Sequence, residues 1–141
     1  MVIRLVRDDG EAPARPPARV LLVAEEVLIE ALLGALVELA EYEPCFREPG
    51  EAVAEAMGRL TPAIVLLDVR HGAALDDGVR ERAVSAGAAV RVFGHRSDRA
   101  HLAALAGRRG VPTLELPVDY GALEHFLDEA IGSGARERGE A

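Results

Sequence analysis

Hydrophobic residues in this chain fall into short continuous runs, separated by stretches where they recur every three or four positions. The first run, VLLV at 20–23, is unbroken rather than alternating, which is the pattern of a strand covered on both faces. It stops at Ala24-Glu25-Glu26. Leu28, Leu32, Leu36 and Leu39 follow at helical spacing and predict a helix with those leucines lining one face. Pro44, Cys45 and Phe46 suit a short second strand near a sheet edge, where a missing N–H is tolerated. Pro49-Gly50 opens a second helix with Val53, Met57 and Leu60 on one side. AIVLL at 63–67 is the strongest strand in the chain, and Asp68 ends it.

The alternation continues to the end of the core. Gly72 lies in a loop, and a third helix is expected over 75–86. A fourth strand at 89–93 is ended by Gly94. Ser97 or Asp98 is placed to cap a short helix running to 105, a side-chain oxygen answering otherwise unpaired amides, and Gly107 and Gly110 stop it. A fifth strand spans 111–116, Pro117 turns the chain, and Asp119 caps a last helix to 131. Residues 8–18, DDGEAPARPPA, have linker chemistry, and 1–6 could add a short extra strand. The polar, glycine-rich 132–141 reads as a flexible tail. Residues 19–131 thus form one domain of five strands alternating with five helices. Short connections between them call for a doubly wound parallel sheet with helices on both faces.

Composition narrows the function classes. A formal net charge of −8 disfavours direct nucleic-acid binding, because a phosphate backbone would repel it. All 16 basic residues are arginines. The lack of lysine excludes Schiff-base chemistry, a Walker phosphate loop and any step that needs an ammonium side chain. The single Cys45 has no partner for an intramolecular disulfide and no metal-motif spacing, so a buried thiol is expected. No apolar run is long enough to span a membrane and no signal peptide opens the chain, so a cytoplasmic protein is expected. His71, His95, His101 and His125 lie in separate elements without ligand spacing.

In an open α/β sheet, ligands bind beyond the carboxyl ends of strands where the strand order reverses. In a flavodoxin-like order, 2-1-3-4-5, the first and third strands are neighbours. Glu25-Glu26 and Asp68 would then converge in one crevice. Converging carboxylates raise a pKa or recruit a divalent cation, and hard oxygen donors suit Mg²⁺. Glu26 can equally serve as an acid at a helix N-terminus, a contribution of about 0.3–1 kcal/mol. Asp68 is harder to explain that way, since an acid ending the most buried strand needs a reason to be there.

Four segments in order, ARVLLVAEEVLIEALL, AIVLLDVRHG, VRVFGHRSD and LELPVD, with the helices between them, resemble response-regulator receiver domains over about residues 19–131. The resemblance implies that Asp68 stands where an aspartate accepts a phosphoryl group. It also implies Glu25 and the Arg70 carbonyl as magnesium ligands, a histidine kinase as donor, and a partner or homodimer contact through the fourth helix, fifth strand and fifth helix. That face would include Leu102, Leu105, Leu123 and Phe126. The chain departs from the pattern at four positions. Ala24 stands where the first of two acids would be, Gly94 where a hydroxyl would contact the phosphoryl group, Leu116 where a lysine would precede Pro117, and Thr113 at an aromatic switch position. The reading that follows is a degenerate, non-enzymatic receiver working through protein contacts, with magnesium weak at best. The alternatives are a slow phosphoacceptor using Asp68 and magnesium, and a small α/β enzyme or ligand-binding domain.

Overall fold

The computed structural model describes residues 17–137; the expected linker and extra strand before residue 17 lie outside it. The elements are β1 (Arg19–Val23), α1 (Val27–Leu39), β2 (Glu43–Phe46), α2 (Val53–Leu60), β3 (Ile64–Asp68), α3 (Asp77–Ser85), β4 (Ala89–His95), α4 (Arg99–Arg109), β5 (Thr113–Leu116) and α5 (Tyr120–Glu137). Single 3₁₀ turns, Gly72–Leu75 and Arg96–Asp98, precede α3 and α4. The strands form one parallel sheet in the order β2-β1-β3-β4-β5, which is the flavodoxin-like arrangement.

The continuous apolar runs are explained by what covers them. Leu21, Val23, Val65, Leu67, Val90 and Val92 point to one face and pack under α2, α3 and α4. Val20, Leu22, Ile64, Leu66 and Phe93 point to the other and pack under α1 and α5. A strand buried on both sides has no place for a polar residue, so period-2 alternation disappears. Asp68 and Arg91 are the only charged strand residues among those described that are buried.

Several boundaries and one face differ from the sequence expectation. The buried side of α1 is Leu33, Gly34 and Val37, with Ile29 and Leu36 partly covered. Leu28, Leu32 and Leu39 lie on the opposite side and are exposed. Nearly every position of this helix is apolar, so helical spacing alone could not choose a face. Gly107 lies within α4, and Gly110, at φ 66°, ends it. The third helix starts at Asp77 because the Asp76 carboxylate accepts from Gly78 N at 2.8 Å. α5 is capped by Asp119, which accepts from Ala122 N at 2.8 Å, and continues past 131 to Glu137. Its glycines do not stop it because glycine costs a helix only about 1 kcal/mol, a deficit that the buried Leu123, Leu127 and Ala130 offset.

Candidate functional site

Because all five strands are parallel, their carboxyl ends share one edge of the sheet. The chain reverses its direction of strand addition between β1 and β3, and the crevice opens there. Asp68 is the last residue of β3 and only 7% exposed. Both of its oxygens accept backbone amides: Oδ2 from Glu25 N and Oδ1 from Arg70 N, each at 3.0 Å. The loops after β1 and β3 are therefore tied to one carboxylate. Charge-assisted bonds of this kind hold a buried acid without a side-chain cation.

The other expected residues take different places. The Glu25 carboxylate is half exposed and lies 4.0 Å from His71 Nε2. His71 itself accepts from Ala73 N at 3.0 Å through Nδ1, which leaves Nε2 to carry its proton toward Glu25. Arg70 is held by Asp98 while its charge still acts on Asp68. Its Nε meets the Asp98 carboxylate at 3.2 Å, and that pairing keeps its guanidinium firmly charged. Asp98, only 8% exposed, also accepts from His95 N at 3.2 Å. No α4 amide bonds to it, so it does not cap that helix as expected. Arg70 and Asp98 thus form a strap between the ends of β3 and β4. The sequence signal was only an acid beside a serine, and the two roles look alike in a sequence.

At Gly94 the backbone is enclosed. A Cβ there would stand 2.9 Å from Val69 Cγ1, 3.2 Å from Asp98 Cβ and 3.3 Å from Leu102 Cδ1. The space a hydroxyl side chain would need is occupied by Val69 and Asp98. Ala24 packs against the α1–α5 core, and Leu116, 6% exposed, belongs to the same core ahead of a cis Leu116–Pro117 bond. Thr113 is half-buried in β5. None of these four can supply a carboxylate or an ammonium group.

For magnesium, the donors are the Asp68 and Glu25 carboxylates and the Arg70 carbonyl. Among the described residues no group of three or more His, Cys, Asp or Glu side chains is arranged to hold a metal ion. Magnesium can be held through one or two carboxylates with water completing the shell, so the donor chemistry fits, at its lower limit.

No protein-family model and no curated protein matches the chain. Solved structures do. NtrX from Brucella abortus in complex with ATP matches at TM-score 0.70 and 24% identity, over 86% of this chain and 28% of that one. The signal receiver domain of a modulated diguanylate cyclase from Desulfovibrio desulfuricans G20 matches at 0.67 and 24%, over 86% and 98%. A two component transcriptional regulator AraC from Clostridium phytofermentans ISDg matches at 0.66 and 21%, again over 86% and 98%. The fold is that of a receiver domain. Within that fold Asp68 stands at the carboxyl edge of the central strand, beside the reversal point. Identities this low carry the fold and not the chemistry.

Proposed function

We propose that this chain is a receiver-like module of two-component signalling whose phosphoryl switch is degenerate and which acts through protein contacts, without enzymatic activity and in the cytoplasm. The observation that carries this reading is the packing at Gly94. A phosphoryl switch needs a group that contacts the new charge and moves with it, because a ligand shifts an equilibrium only through contacts that differ between two states. Here that position is closed by Val69 and Asp98, and Arg70, whose charge acts on Asp68, is already engaged by Asp98. Phosphoryl transfer depends on positioning and charge neutralisation, and this crevice offers little of either.

The face of α4, β5 and α5 supports contact of a polar kind. Leu102, Leu105 and Leu123 are buried and Phe126 is partly so, which leaves only part of one ring as apolar surface from them. Across that face Arg99 grips Glu115 with two bonds of 2.9 and 2.7 Å. A partner or second copy meeting it would meet charges.

A slow phosphoacceptor is the second reading, favoured by the retained burial and amide cradle of Asp68. In that case Glu25, Asp68 and the Arg70 carbonyl would hold magnesium, which would supply the missing charge neutralisation, and a histidine kinase would be the donor. Treatment with a small-molecule phosphodonor, with and without magnesium, separates the two by intact mass. The degenerate reading expects no gain of a phosphoryl mass. A stable adduct that Asp68→Asn abolishes, together with a changed oligomeric state, would replace it with the second.

A further inference from the structure

The two halves of the Arg70–Asp98 strap are held very differently. Asp98 is 8% exposed and fixed in place: its carboxylate receives Arg70 Nε at 3.3 Å on Oδ1 and 3.2 Å on Oδ2, and Oδ2 also accepts His95 N at 3.2 Å. The Arg70 side chain is 50% exposed and is gripped through Nε. Among the described residues no other side chain bonds its guanidinium, so the terminal nitrogens keep their donors. A guanidinium carries five N–H groups in a planar fork that matches the oxygens of a carboxylate or a phosphoryl group. A pair whose cation is half exposed is a weak tie that a stronger anion can displace.

The root of this arm stands beside Asp68. Arg70 N donates to Asp68 Oδ1 at 3.0 Å, so the backbone that carries the guanidinium already touches the acid. Asp98 does most to hold the Arg70 charge, and Asp68 and Glu26 act on it as well. The crevice sets Asp68, Glu25 and Glu26 around that charge, while the neighbouring His71 faces Glu25. A phosphoryl group on Asp68 would add to the negative side. Moving Arg70 from one acid to the other needs only an exposed side chain to turn, with no shift of a strand or helix.

We propose that the Arg70–Asp98 pair is an autoinhibitory latch: Asp98 keeps the guanidinium engaged, and its release lets Arg70 neutralise a phosphoryl group accepted by Asp68. This rests on the reading of a receiver-like module whose phosphoryl chemistry is suppressed, and it names what suppresses it. In the transfer, an Asp68 oxygen forms a new bond to phosphorus as the donor's bond to phosphorus breaks. With acetyl phosphate as donor, acetate leaves with the electron pair.

The test compares the full chain with Asp98→Asn, in acetyl phosphate and magnesium, following intact mass over time. Asparagine keeps the shape that fills the space at Gly94 and an oxygen for His95 N, but drops the charge that holds Arg70. Asp98→Asn is expected to gain a phosphoryl mass about tenfold or more faster than the parent, as a freed cation stabilises the transferring group. The gain should vanish in Asp98→Asn/Arg70→Gln and in Asp98→Asn/Asp68→Asn. If the asparagine variant fails to fold, Asp98→Ser carries the same expectation. A variant no faster than the parent would overturn the latch. So would a gain that survives Arg70→Gln, which would assign the effect to a loosened loop. A parent that is itself phosphorylated would overturn the degenerate reading, and the ratio between variant and parent would still decide the latch.

Discussion

Gly94 is where a single residue says most about the chemistry. Its absent side chain is a packing requirement: Val69 and Asp98 already occupy the volume, and Val69 is too short and too buried to swing aside. Installing the hydroxyl by Gly94→Ser is therefore expected to destabilise the fold by about 1–3 kcal/mol through overpacking, and not to create a phosphoacceptor. Urea denaturation would measure the loss. Combining it with Val69→Ala should recover part of that loss, because the two sites share one volume and cannot be additive. A Gly94→Ser variant as stable as the parent would show that the crevice has room after all. The sequence displayed the glycine but not its reason, since a vacant hydroxyl position and a filled one read the same in one dimension. The same limit hid Asp98, whose pairing with Arg70 spans 28 residues.

Among the elements, β3 and α1 stand at opposite ends of legibility. The run ending in Asp68 could only be a strand buried on both faces, and the structure places it centrally with every residue buried. In α1 the opposite held. Leucines at 28, 32, 36 and 39 formed a plausible core face, yet Ile29, Leu33 and Val37 formed another, and it is the second that packs into the core with β1 and α5. That choice has a measurable consequence. Leu33→Ala removes a side chain only 1% exposed and should cost about 2–5 kcal/mol, whereas Leu28→Ala should change stability by about 0.5 kcal/mol or less. Paired denaturation curves would decide it, and comparable losses would mean that the leucine stripe is the buried face.

For the molecule as a whole, the alternation of strand and helix was enough to predict one parallel sheet with its strand ends gathered on one edge, whereas the order 2-1-3-4-5 came with the flavodoxin-like fold type rather than from the pattern. What it could not specify is which charges pair across loops, and these govern the response to acid. Glu51 is the clearest case. Its carboxylate takes two bonds from Arg59, at 2.8 and 2.7 Å, and one from Glu48 N at 2.9 Å, closing the loop between β2 and α2. The Arg59 bonds hold it down to about 2, from an ordinary 4.5. Glu115 is lowered in the same direction by Arg99. A carboxyl depressed in the folded state binds its proton more readily when unfolded, so its contribution is complete above about pH 4.5 and disappears as the pH falls toward 2. Thermal unfolding of the parent and Glu51→Gln should therefore differ by a constant interval from neutral pH down to about 5, and the interval should close between 4.5 and 2. An interval that survives at pH 2 would mean that Glu51 acts through packing rather than charge, and the loop between β2 and α2 would need another explanation for its order.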